Sequence, residues 1–139
     1  MSFVRTFAAV GLTAALTLGC SAAGAAPSPR ATTPKTVTDR DNGKTVVLQV
    51  GDQLKVALAS TYWTIHTSSN AAVLRADGPQ VIKGRIDGCV PGEGCGTANR
   101  LFSALSPGRV TVRASRVSCG EALRCTRGRG LFTIAVVVN

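Results

Sequence analysis

The chain has 139 residues, 45% of them hydrophobic and 4% aromatic, with 16 Lys+Arg against 7 Asp+Glu for a net charge of +9. That length suits one domain on the usual size prior. The positive balance favours anionic partners or serves solubility, and no apolar run after the first twenty residues is long enough to span a bilayer.

Residues 1–19 read as a signal peptide of the lipoprotein type. Arg5 gives a short positive start, and Phe7 to Leu18 (FAAVGLTAALTL) is an uncharged apolar run too short for a permanent transmembrane helix. Leu16-Thr17-Leu18-Gly19-Cys20 resembles a bacterial lipobox. The resemblance implies a diacylglycerol thioether on Cys20 and a protein held on the extracytoplasmic face of the cell membrane. A plain secretory signal cut within Ala22-Ala23-Gly24-Ala25-Ala26 is the competing reading, and it gives a secreted protein. Losing residues 1–19 removes only Arg5 and leaves +8. Residues 20–38 are rich in Ala, Ser, Thr and Pro and cannot bury enough surface to order themselves. They read as a disordered tether, kept semi-extended by Pro27, Pro29 and Pro34.

Residues 39–139 read as strands and turns. Val46, Val47, Leu48 and Val50 form a first apolar run, ended by the turn Gly51-Asp52. Leu54, Val56 and Leu58 alternate with Gln53, Lys55 and Ala57, as a half-buried strand requires. Trp63 and Ile65 share one face of the next segment, and Trp63 is assigned to the core for the area it buries. Val73-Leu74 and Val81-Ile82 are short strands separated by Asp77-Gly78-Pro79. Phe102 and Ala104 precede the turn Ser106-Pro107-Gly108. Val110, Val112 and Ala114 then alternate with Arg109, Thr111, Arg113 and Ser115. The last strand, Leu131 to Val138, carries apolar residues on both faces and reads as covered on both sides. About seven short strands with regular turns predict an all-β fold, an immunoglobulin-like antiparallel β-sandwich.

Cys89, Cys95, Cys119 and Cys125 form two equal Cys-x5-Cys spacings. In an exported chain this reads as a pair of disulfides, with zinc disfavoured by the spacing and by the oxidising compartment. The local pairing 89–95 and 119–125 is favoured, and bridges between the two loops remain open. Such staples support a small core or stiffen exposed loops against entropy loss on binding.

No catalytic residues, cofactor or metal are expected. His66 is the single histidine and lacks a nucleophile or metal-ligand companion. The carboxylates are scattered through turns, and no phosphate-binding glycine loop precedes a helix. Arg109, Arg113, Arg116, Arg124, Arg127 and Arg129 crowd the last hairpin, opposed only by Glu121. Guanidinium groups suit carboxylate or phosphate partners; the alternative is a solvated edge that repels other sheets. Nucleic acid is not expected, because interleaved aromatics are missing and the leader argues for export.

The order of segments resembles the chagasin-type inhibitors of cysteine peptidases, small immunoglobulin-like sandwiches exported by many bacteria. Its carriers are Val50-Gly51-Asp52-Gln53-Leu54 followed by Val56 and Leu58, then Tyr62-Trp63, then Gly94-Cys95-Gly96 leading to Phe102-Ser103-Ala104-Leu105-Ser106-Pro107-Gly108. In that family three loops at one end of the sandwich enter the peptidase cleft. The resemblance implies binding loops at Ser60, Thr61 and Tyr62, at Gly94 and Gly96, and at Arg116, Glu121, Arg124 and Arg127. The family's Asn-Pro-Thr-Thr-Gly and Arg-Pro-Trp motifs are replaced here by Ser60-Thr61-Tyr62-Trp63 and Arg116-Val117-Ser118-Cys119. The loop Cys119-Gly120-Glu121-Ala122-Leu123-Arg124-Cys125 is also similar to loops of secreted actinobacterial proteins. The expected function is a non-catalytic binding module, a peptidase inhibitor in its family-derived form, with an exported peptidase or other envelope protein as partner. The alternatives are a basic domain binding anionic cell-wall polymer or lipid headgroups, and a structural envelope protein with no soluble ligand.

Overall fold

A computed structural model describes residues 33–139 except Ile86, Glu121, Ala122 and Arg127. The signal peptide, Cys20 and the larger part of the tether lie outside the described residues, as do Glu121 and Arg127.

Among the described residues nine strands form two sheets. They are β1 (Lys35–Val37), β2 (Thr45–Leu48), β3 (Gln53–Ala59), β4 (Thr64–Ile65), β5 (Leu74–Ala76), β6 (Val81–Gly84), β7 (Gly96–Ala104), β8 (Gly108–Ser115) and β9 (Leu131–Val138). One sheet runs β1-β3-β7-β5, with β6 also paired to β7; the other runs β2-β9-β8-β4. Both β5 and β6 pair with β7, β5 along Phe102 to Ala104 and β6 along Gly96 to Asn99.

The two facing sheets bury the residues whose alternation marks strands. Leu54, Val56, Leu58, Ala98 and Phe102 face Val110, Val112, Phe132, Ile134 and Val136. Every buried side chain among the described residues is apolar. Full burial of a Leu, Val, Ile or Phe contributes roughly 1.5–3 kcal/mol each, which is what holds so small a domain.

Three expectations need correction. The sandwich is mixed rather than purely antiparallel: β1 pairs parallel with β3, and β2 parallel with β9. Hairpin-connected strands must be antiparallel, but β1 and β2 reach their partners from other parts of the chain. Second, Lys35–Val37 lies in the segment assigned to the tether, yet Val37 is buried in the core. A single apolar residue on an edge strand leaves no trace in composition. Third, β9 is covered on one face only: Leu131 is 61% exposed while Phe132, Ile134, Val136 and Val138 are buried. The Arg-rich hairpin β8–β9 occupies the middle of its sheet, so its charges do not guard an edge.

The parallel pairings also fix the direction of the chain. β1 runs alongside β3, so Lys35 lies opposite Leu54, at the far end of the sandwich from Ala59.

Candidate functional site

Four segments meet at the end where β3 stops and β7 starts. They are the crossovers 38–44 and 60–63 and the hairpin loops 85–95 and 116–130. The crossover 60–63 leads from Ala59 in one sheet to Thr64 in the other, which pairs with Ser115. It therefore lies between the two hairpin loops.

The first two predicted loops adhere through their backbones. The Ser60 amide donates to the Gly96 carbonyl at 2.9 Å, and the Thr61 amide to the Gly94 carbonyl at 2.9 Å. The Tyr62 hydroxyl donates to the Gly92 carbonyl at 2.8 Å. Gly94 has φ +67°, and a Cβ there would run into the Tyr62 ring. The position therefore requires glycine for its conformation and for its closeness to the ring. Ser60 is the one non-glycine residue with positive φ among the described residues, at +119°, and its hydroxyl accepts from the Tyr62 amide at 3.2 Å. A strained residue of this kind persists only where its surroundings fix it, and such residues gather at functional sites.

Both disulfides are local, as favoured from the spacing: Cys89 pairs with Cys95 and Cys119 with Cys125, with Cα separations of 5.9 and 5.0 Å. The first ring closes the loop that abuts Tyr62. The second closes a miniature hairpin in which Ser118 bridges Arg124, the Cys119 amide donates to the Leu123 carbonyl at 2.8 Å, and the Cys125 amide to the Val117 carbonyl at 2.9 Å. Cys89, Glu93 and Cys95 bring ligand-type atoms within 4.8 Å of one another, but the two sulfurs are bonded together and offer no thiolate.

The third loop is joined to the first through Trp63. The Arg116 guanidinium lies over the Trp63 ring, 4.5 Å from its centroid. The indole Nε1 donates to the Ala59 carbonyl at 3.1 Å, and the Arg116 amide to the Gly130 carbonyl at 2.9 Å. Trp63 is core, as assigned from its strand, and its side chain also links the crossover 60–63 to the hairpin loop 116–130. The structure thus brings together Ser60, Thr61, Tyr62, Gly94, Gly96 and Arg116. Arg124 stands out on the third loop, exposed with its neighbours Val117 (85%) and Leu123 (67%). His66 is exposed at the end of β4, with Nε2 3.0 Å from the Ser115 hydroxyl.

The crossover 38–44 escaped the sequence reading. Asp39 accepts from the Ala59 amide at 2.7 Å, and Asn42 both donates to the Leu131 carbonyl at 3.3 Å and accepts from the Thr133 amide at 2.8 Å. The signal was there in Thr38-x-x-Asp41, where the Asp41 carboxylate accepts from the Thr38 amide at 2.9 Å and hydroxyl at 3.3 Å, as in a capping box. The Thr38 amide bond, then the Lys44 ammonium at 3.1 Å, holds the Asp41 carboxyl below its ordinary value of 3.8.

No family model matches the sequence, and no curated protein matches it. Among solved structures, the chain is similar to the crystal structure of the cysteine protease inhibitor EhICP2 from Entamoeba histolytica. Identity is 16% and the TM-score 0.52, over 75% of this chain and 93% of that one. It is likewise similar to the solution structure of amebosin, at 15% identity and a TM-score of 0.51, over 78% of this chain and 100% of that one. At such identity the likeness is one of fold, the two-sheet β-sandwich expected from the order of segments.

Proposed function

We propose that this domain is a non-catalytic inhibitor of an exported peptidase, acting by seating its loop end in the active-site cleft. The observation that carries the reading is the convergence of the three expected loops into one hydrogen-bonded, disulfide-closed end, with Trp63 and Arg116 joining the halves. Loops already held in place lose less entropy on docking. The similar structure EhICP2 is described as a cysteine protease inhibitor, so a papain-type cysteine peptidase is the partner to try first. Two disulfides favour an oxidising compartment, in keeping with export. A lipid on Cys20, read from the lipobox, would tether the chain through its N-terminal side. The described chain enters the sandwich at the end away from the loops, which leaves them facing a partner. The test is titration of papain-type peptidases with micromolar full chain, after cleavage of the leader. Tight, reversible inhibition is expected; no inhibition across the panel overturns the reading.

A second reading is favoured by the charge distribution. Arg109, Arg113, Arg124 and Arg129 are exposed, and none is in an ion pair among the described residues. Such a face suits anionic cell-wall polymer or headgroups. It predicts salt-sensitive binding that is lost when Arg124, Arg127 and Arg129 are replaced together. Binding indifferent to salt and to that replacement dismisses it.

A further inference from the structure

Among the described residues two arginines, Arg100 and Arg116, have a buried Nε with no hydrogen-bond partner, and they differ in what the rest of the guanidinium does. Arg100 spends its two terminal nitrogens on the Ile65 carbonyl at 2.7 Å and the Gly78 carbonyl at 3.4 Å. It is committed to the scaffold. The Arg116 guanidinium donates to no acceptor among the described residues, and its central carbon lies over the Trp63 ring, 4.5 Å from the centroid. Stacking on an indole satisfies the face of the cation and leaves its in-plane donors without acceptors. Arg116 also lines a groove of about 320 Å³ with Arg124, Thr126 and Gly128, bordered by Val117 and Leu131. No described residue lining that groove is acidic. The bordering Val117 and Leu131 are 85% and 61% exposed.

We propose that the groove between Arg116 and Arg124 receives a carboxylate side chain of the partner protein, with Val117 and Leu131 packing against apolar surface around it. This deepens the inhibitor reading by stating the chemistry of the partner: an acidic residue beside an apolar patch at the rim of its cleft. Two cations with no acid between them among the described residues favour a complementary anion, and the exposed valine and leucine favour a surface that covers them. A planar fork held by a stacked ring is suited to bidentate binding of a carboxylate, which a lysine cannot reproduce.

Trp63 is the sole tryptophan, so its fluorescence reports on the stacked guanidinium directly. The full chain, after leader cleavage, is titrated with poly-L-glutamate at fixed ionic strength. Inorganic phosphate and phosphatidylglycerol vesicles serve as the other anions. The expected result is a saturable change in Trp63 emission with poly-L-glutamate. It is weakened about tenfold or more in Arg116→Lys and in Arg124→Gln, in line with the loss of a charge-assisted contact at a hot spot. Arg124 is exposed, so its replacement tests the groove without disturbing the fold. An unchanged titration in both variants, or equal responses to phosphate or vesicles, overturns the proposal. The peptidase panel is run beside it on the same variants. Inhibition undiminished by Arg116→Lys and Arg124→Gln overturns the groove and leaves the inhibitor reading standing. A glutamate response lost in the variants, with no inhibition by the parent, does the reverse.

Discussion

The Tyr62 hydroxyl donates to the Gly92 carbonyl at 2.8 Å, and that bond ties the crossover between the sheets to the first disulfide ring. The two loops are therefore one unit, and loosening either loosens both.

Replacing Gly94 by Ala forces a side chain into left-handed backbone and against the Tyr62 ring. The expected cost is about 1–3 kcal/mol, from unfavourable φ and displaced packing. Tyr62→Phe removes only a peripheral hydrogen bond and is expected to cost about 1 kcal/mol or less. Urea unfolding of both variants checks the order, which fails if Tyr62→Phe is the more damaging.

Opening the rings acts on the loops before the core. By ring size alone, each disulfide constrains the unfolded chain by ~2.4 kcal/mol. Converting Cys119 and Cys125 to Ser is expected to lower the melting temperature yet leave the near-UV signal of the core in place. Hydrogen exchange should show loss of protection in 116–130, with β3 and β7 unaffected. Global unfolding at room temperature would contradict this.

Phe102 is wholly buried between the sheets. Phe102→Ala is expected to cost about 3–5 kcal/mol through lost transfer energy and a cavity. Against a typical total of about 5–15 kcal/mol, such a loss makes the domain marginal. A denaturation midpoint shifted by less than one fifth of its value would be inconsistent with that packing.

The turn at 38–44 carries an acid-sensitive element. The Asp41 carboxyl is held below its ordinary value by the Thr38 amide and by Lys44. A group with a lowered folded pKa stabilises the fold above its unfolded value and loses that contribution as pH falls through the folded one. Stability is thus expected to decline as pH drops from the ordinary 3.8 towards the lower folded value. Asp41→Asn should flatten the decline. Equal acid slopes for parent and variant in pH-stepped melts would rule this out.

The strands that were legible in the sequence are those that build the core. Leu54, Val56 and Leu58, then Val110 and Val112, alternate because one face of each strand is buried, whereas the last strand was legible as an apolar, β-branched run and its one-sided burial was not. β1 was not legible, since its one core residue, Val37, sits among Pro, Lys and Thr. The parallel partners of β1 and β2 were equally hidden, because a pairing between strands not joined by a hairpin, and for β2 one that reaches from Thr45 to Ala135, leaves no local pattern. Cysteine spacing pointed to the two rings, and Tyr62 and Arg116 were named as loop residues. The placement of Arg116 over Trp63 follows from the pairing of β4 with β8, Thr64 opposite Ser115, which local sequence does not reveal.

The interior of this sandwich holds no buried polar side chain among the described residues, whereas the loop end is secured by backbone hydrogen bonds and two short covalent rings. Most residues that fill the interior are thus distinct from those that hold the loop end, with Trp63 shared by both. Exposed loop positions such as Val117 and Leu123 can change without disturbing the frame beneath them. A designer could exploit that independence by transplanting foreign segments between Cys119 and Cys125.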